Sequence, residues 1–327
     1  MYSKILVPID NSPYSSLCTD VAVTLAKGWQ ASVTGFHVFA AEMHQERFRD
    51  MEPTLPPQFR EPFRLEHQRS VHKSLIYKGL EMISHSYLDP IAQRCRAESV
   101  AYTSKVAEGK NYAEIVREAN EGDYDLVVMG AQGLGAREDG QLGSVCERVA
   151  RRLRKDILVV KRGAFPGGAI LSGVDGSVSS EKAFRTAATL GKTFCLPIEL
   201  VSVYDPEFHR MAFNSLASML SGDMKRMFSM DGQGKLHDAA IDTGLADIYR
   251  GYLEAAQREV EGSQGAVQAT LLAGKPSSSI LQHSRASGIS LVVLGRFGRH
   301  RAGDLDIGST TECVLRQVPC HVLITSN

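Results

Sequence analysis

The chain is defined first by what it has little of. It carries no net charge, with Lys plus Arg and Asp plus Glu both at 37. No overall field therefore draws it to nucleic acid or an anionic membrane, although a local basic patch remains compatible with the count. No apolar run approaches the roughly 18 to 20 residues that would span a bilayer. The chain enters a strand-like run at Lys4-Ile-Leu-Val-Pro8 almost at once, which leaves no room for a secretory leader pattern. Six cysteines (Cys18, Cys95, Cys146, Cys195, Cys313 and Cys320) are scattered without CxxC spacing, so reduced structural thiols and a cytoplasmic location are expected. Tryptophan occurs once and aromatics make up 7%. Against these absences stand 43% apolar and 23% charged residues in 327 positions, enough for two globular domains of roughly 150 residues each.

What is present is a repeat. Gly130-Ala-Gln-Gly133 is followed after nine residues by Gly143-Ser144, and Gly295-Arg-Phe-Gly298 is followed after nine by Gly308-Ser309. The same offset of 165 relates Ile5-Leu-Val-Pro-Ile-Asp10-Asn-Ser12 to Ile170-Leu-Ser-Gly-Val-Asp175-Gly-Ser177. It also relates Gly109-Lys-Asn-Tyr-Ala-Glu-Ile115 to Gly274-Lys-Pro-Ser-Ser-Ser-Ile280, and Glu147 to Glu312. A constant offset over such a span implies two copies of one domain. The expected domains are residues 1–162 and 168–327, joined through the Pro- and Gly-containing connector Arg162–Gly168.

Within each copy, short apolar runs alternate with helix-period stretches, the pattern of βα units on a parallel sheet. The expected strands of the first copy are Ile5–Ile9, Ser32–Phe39, Ser99–Val106, Leu126–Met129 and Ile157–Val160. Those of the second are Ile170–Val174, Ile198–Tyr204, Ala266–Leu272, Leu291–Leu294 and Val322–Thr325. Leu17, Val21 and Leu25 recur every four residues after Pro13, which places a helix there with Asn11 or Ser12 as its cap. Some sixty residues separate strands two and three of each copy. In the first copy Pro53, Pro56, Pro57 and Pro62 imply an irregular stretch before a long helix, Leu65–Arg96. In the second, Met211, Met219, Met224, Met227 and Met230 accompany Phe208, Phe213 and Phe228, read as core or inter-domain packing ahead of an adaptable ligand surface. His67 and His72 are five apart, not the four that would align two metal ligands on a helix, so no metal site is expected.

A parallel α/β sheet binds ligands beyond the C-terminal ends of its strands, at the topological switch point. Asp10 and Asp175 end the first strands, and the glycine loops begin where the fourth strands end. A carboxylate there can accept from ribose hydroxyls or an adenine amine. Loop N–H groups and the hydroxyl of Ser144 or Ser309, at a helix start, can hold phosphates. The competing reading is architectural: glycines that shape a turn, and aspartates that cap the next helix.

On these residues the sequence resembles tandem members of the universal stress protein family over essentially its whole length. The family's ATP-binding members carry G-x2-G-x9-G-[ST], which both copies match. The resemblance implies an α/β fold of two doubly wound domains, each a five-stranded parallel sheet of order 3-2-1-4-5 flanked by helices. It further implies that the two pack with pseudo-two-fold symmetry, the apolar last strands pairing as an intramolecular pseudo-dimer that leaves further homodimerisation open. It also implies that Asp10 and Asp175 contact adenine or ribose. Val38 and Val203 would offer backbone groups to the adenine edge. Gly130, Gly133, Gly143 and Ser144, with Gly295, Gly298, Gly308 and Ser309, would hold sugar and phosphates, and Val145 and Thr310 would add backbone donors. The implied ligand is ATP, ADP or AMP, with or without Mg2+, and the implied role is a stress-response regulator that signals to a protein partner. The second copy departs from the first where Gly173-Val174 replaces Pro8-Ile9 and Ser202 replaces His37.

The charges around the loops also differ. Arg296, Arg299, His300 and Arg301 open the second, whereas Arg137, Glu138 and Asp139 sit in the first. The second site is therefore expected to favour a triphosphate, unless Asp304 and Asp306 engage those arginines. No catalytic residues are assigned. Neither loop carries a P-loop lysine, no nucleophile–base set repeats, and only slow ATP hydrolysis is left open. Two further readings stand beside nucleotide binding. One is a nucleotide-free scaffold. The other is an adenylating enzyme of the ATP pyrophosphatase type, for which Ser172-Gly-Val-Asp-Gly-Ser177 is an imperfect match.

Overall fold

A computed structural model defines the architecture. It describes residues 2–326 apart from 136–140, 162, 164, 220, 223, 225–233, 235, 237–239, 261–266 and 300–305. The chain divides into two compact units, Met1–Lys161 and Arg162–Asn327.

The first unit runs β1 (Lys4–Pro8), α1 (Pro13–Trp29), β2 (Ser32–Phe39), α2 (Ala41–Met51), α3 (Pro62–Ala97), β3 (Tyr102–Glu108), α4 (Asn111–Glu121), β4 (Leu126–Gly130), α5 (Ser144–Arg152) and β5 (Asp156–Val160). All five strands are parallel, in the order β3-β2-β1-β4-β5. Ile5, Leu6 and Val7 of β1 and Val127 and Val128 of β4 are fully buried, because helices cover both faces of these central strands. Each such side chain contributes about 1.5–3 kcal/mol by leaving water. Pro13 starts α1 with its φ already set, and Gln30 ends it in the left-handed region at φ 55°. Between them Cys18, Val21, Ala22, Leu25 and Ala26 are buried.

Two expectations shift here. Strand three begins at Tyr102, not Ser99. Ser99 takes a positive φ of 57°, and the Val100 N–H donates to the Cys95 carbonyl (2.8 Å), so residues 99–101 close the end of α3. Ahead of the proline-rich stretch lies the helix α2, and the stretch itself is partly ordered into the short 3-10 turns Glu52–Thr54 and Pro57–Phe59. In this region His72 stacks on Phe48 with ring centroids 4.2 Å apart.

The second unit repeats the plan: β6 (Ala169–Gly173), α6 (Val178–Phe194), β7 (Ile198–Tyr204), α7 (Pro206–Met219), α8 (Ala246–Val260), β8 (Val267–Ala273), α9 (Pro276–Ala286), β9 (Ile289–Gly295), α10 (Ser309–Gln317) and β10 (His321–Thr325). Its strands are again parallel, in the order β8-β7-β6-β9-β10. Both sheets thus have the expected order 3-2-1-4-5. Met211, Met219 and Met224 are exposed rather than packed in a core. Helix α7 meets the π-helical turn Ala240–Leu245 that leads into α8. Met227, Phe228 and Met230, and the side chains of Phe208 and Phe213, lie outside the described residues, as does Ala266. All six cysteines are unbridged. No helix among the described residues is long and apolar enough to cross a membrane.

Candidate functional site

In each unit the first strand lies between the second and the fourth, so the chain turns in opposite directions from the ends of β1 and β4, and of β6 and β9. That divergence opens the crevice in which doubly wound sheets bind ligands. In the first unit it is a cavity of about 740 Å3. Asp10, Val38, Gly130, Gly133, Gly143, Ser144 and Val145 all line it, and so do His37, Tyr87 and Ser12. The volume lies within the range of about 300–1,000 Å3 usual for small-molecule sites.

Three glycines have three separate reasons to lack a Cβ. One on Gly130 would sit 2.7 Å from Cβ of Tyr14, so this glycine lets α1 close onto β4. One on Gly133 would sit 2.4 Å from Oδ2 of Asp10. One on Gly143 would press on the Ala131 carbonyl oxygen (3.2 Å) and the Gln132 Cα (3.3 Å). Those contacts form the neck of the loop. The Gly143 N–H donates to the Ala131 carbonyl (2.7 Å), and Gln132 Nε2 donates to the Gln141 carbonyl (2.6 Å).

Asp10 braces this loop. Its Oδ1 accepts from the Ser12 N–H (3.1 Å) and the Ser15 hydroxyl (3.0 Å), and its Oδ2 accepts from the Leu134 N–H (3.2 Å). A carboxylate has about four acceptor positions, so one on Oδ2 remains for a ligand. Ser12 holds the N-cap position of α1 without a side-chain cap bond, and its buried hydroxyl, at the cavity wall, has no partner among the described residues. Such a group costs about 1–3 kcal/mol unless something outside the protein satisfies it. At the far wall α5 begins. Its first intrahelical bond runs from the Glu147 N–H to the Gly143 carbonyl (2.9 Å), which leaves the N–H groups of Ser144, Val145 and Cys146 without intrahelical partners. A hydroxyl, three helix-end donors and a loop held open by glycine suit an anionic, hydroxyl-bearing ligand.

The second unit keeps the same hydrogen-bonded frame around its aspartate. Asp175 Oδ1 accepts from the Ser177 N–H (3.0 Å) and hydroxyl (2.6 Å), and its Oδ2 accepts from the Arg299 N–H (3.0 Å). A Cβ on Gly298 would lie 2.8 Å from that Oδ2, and one on Gly295 would lie 2.6 Å from Ser179. The Gly308 N–H donates to the Arg296 carbonyl (2.8 Å), and Ser309 and Thr310 begin α10 as Ser144 and Val145 begin α5. Ser177, unlike Ser12, caps its helix by accepting from the Ser180 N–H (3.1 Å).

The difference lies above the aspartate. Tyr252 of α8 packs over Gly176, whose Cβ would be 2.7 Å from its ring. The Arg299 guanidinium sits 5.1 Å from the centroid of the same ring and donates to its hydroxyl. Tyr249 stands beside Tyr252 at 5.8 Å, and burial, then the charge of Asp175, raises its phenol pKa. Val203 is buried at the end of β7. Arg296 is only 5% exposed and donates to the Asp306 carbonyl (3.3 Å). The expectation of a more cationic second site therefore changes. Arg296 and Arg299 both reach protein groups, Arg296 the Asp306 carbonyl and Arg299 the Tyr252 ring and hydroxyl. Arg137, Glu138, Asp139, His300, Arg301 and Asp304 lie outside the described residues.

Sequence reasoning missed Tyr87, Ser12, Tyr249 and Tyr252. The signal for the tyrosines was present, since Tyr87 and Tyr252 stand at the same 165-residue offset as the glycines.

Tandem doubly wound domains, each with a glycine-closed crevice at its switch point, define the structural class. The chain belongs to the universal stress protein family, whose model matches residues 1–161 and 168–326. It is 25% identical over 203 residues to the universal stress protein Slr1230 of Synechocystis, covering 62% of this chain and 58% of that protein. It is 27% identical over 161 residues to the universal stress protein YxiE of Bacillus subtilis, covering 49% of this chain and all of that one. Among solved structures, a universal stress protein from Archaeoglobus fulgidus shares the fold with a TM-score of 0.64 at 15% identity, covering 99% of this chain and 98% of its own.

Proposed function

We propose that this protein binds an adenine nucleotide, foremost in the first-domain cavity, and acts as a regulator whose presented surface depends on that binding. The observation that carries this reading is the convergence of all seven first-copy residues on one cavity with an orphaned Ser12 hydroxyl and the open N-terminus of α5. Asp10 would take a ribose hydroxyl on its remaining acceptor position, Val38 would offer backbone groups to the base, and Ser144 and Val145 would hold phosphates. Mg2+ would enter with the nucleotide as its counter-ion. A site built mainly of backbone donors is suited to holding nucleotide rather than cleaving it. Nucleotide would then stabilise the loop and any part of residues 40–98 that covers it, and so alter what a protein partner meets.

A divided role is supported by Tyr252, which packs over Gly176, and by the Arg299 guanidinium against the Tyr252 ring. There the glycine loop serves architecture more than ligand. Equilibrium dialysis of ATP against a Gly143→Val, Gly308→Val double variant tests the assignment, with circular dichroism to verify folding. Binding is expected to disappear; undiminished binding contradicts the assignment.

A further inference from the structure

His37 lies near the C-terminal end of β2 and lines the first-domain cavity beside Val38 and Asp10. Its Nδ1 is 2.9 Å from the hydroxyl of Ser84, on the buried side of α3. That hydroxyl has one proton, and it is directed to the Leu80 carbonyl at 2.7 Å. Ser84 must therefore accept from the ring, which places the imidazole proton on Nδ1. Burial lowers the His37 pKa, against a smaller opposing effect of Asp10, so the ring is neutral near pH 7. In a neutral ring protonated at Nδ1, Nε2 is a pure acceptor. No described protein group hydrogen-bonds Nε2, and it is not among the sealed, unpartnered polar atoms. Tyr87 meets the ring edge-on at 5.3 Å and 83°, which fixes its plane.

Resting on the nucleotide reading above, we propose that His37 Nε2 accepts a hydrogen bond from the exocyclic amine of the bound purine, with Ser84 as the positioning residue that sets its tautomer. The second domain lacks the device. Ser202 replaces His37, is fully buried, and donates to the Val174 carbonyl at 2.7 Å. Tyr249 stands at the position corresponding to Ser84. Amine reading thus belongs to the first domain alone.

The test compares ATP with purine riboside triphosphate, which differs from ATP by lacking the amine, on the full chain by titration calorimetry. Wild type should bind ATP about five- to tenfold more tightly, the effect of one buried neutral hydrogen bond. In His37→Leu the ratio should fall to near one. In Ser84→Ala it should also fall although the imidazole remains, whereas a merely structural role for Ser84 would weaken both ligands equally. Should His37→Leu fail to fold, His37→Gln and Ser84→Ala carry the test. A ratio near one in wild type, or a ratio unchanged in these variants, overturns the proposal while leaving nucleotide binding intact. Failure of both ligands to bind wild type overturns the nucleotide reading itself, and this inference with it.

Discussion

Gly133 and Asp10 form the tightest residue-level pair in the first crevice. A Cβ at 2.4 Å from the carboxylate oxygen has no room, and that oxygen already holds the Leu134 amide. Gly133→Ala should therefore displace Asp10, lower stability by about 1–3 kcal/mol, and weaken nucleotide binding. Thermal unfolding and ATP titration of the same variant check both. Asp10 is more than the ligand contact read from sequence, because it braces the loop and holds the start of α1 as well. The sequence could place it at a strand end, but only the fold showed Leu134 returning to it across 124 residues. His37 gives a pH signature. Its folded pKa is depressed by burial, with Asp10 in partial opposition, and Ser84 and Tyr87 are its other neighbours. As pH falls below the ordinary histidine value of 6.5, the unfolded chain takes up a proton that the folded ring resists, so stability falls. Urea midpoints at pH 7 and pH 5.5 should differ more in wild type than in His37→Gln; an equal difference contradicts this.

At the scale of elements, α3 and α8 bring different side chains to the two crevices. Both cross beside the second strand of their own unit, yet α3 presents Ser84 and Tyr87 to His37 where α8 presents Tyr252 to Gly176 and Arg299. Tyr252 of α8 packs a large side chain against Gly176 on the sheet side. Tyr252→Ala with Arg299→Leu should open the second crevice and raise nucleotide stoichiometry toward about two per chain; an unchanged ratio would show that Tyr252 and Arg299 do not close it. The central strands were legible because fully buried parallel strands are continuous apolar runs, as in Leu126–Met129. Strand three was legible but with its start set three residues early, because β3 is a half-exposed edge whose residues alternate weakly. The tyrosines escaped notice because they sit in helices between the motifs, where no glycine or aspartate marks them.

Across the whole molecule, the constant 165-residue offset carries more information than any single motif, since it fixed the duplicated fold and the correspondence of the crevices. It could not show that the copies differ in side-chain packing, because a guanidinium laid on a ring is invisible to spacing. The account therefore expects one open, amine-reading crevice and one closed by its own side chains. Its most direct test is to denature freshly purified full-length protein and identify any released small molecule by mass, followed by ATP titration of the protein stripped of ligand. The account predicts an adenine nucleotide released or rebound at about one per chain, abolished by Gly143→Val. Protein that releases no nucleotide and binds none on titration would contradict it.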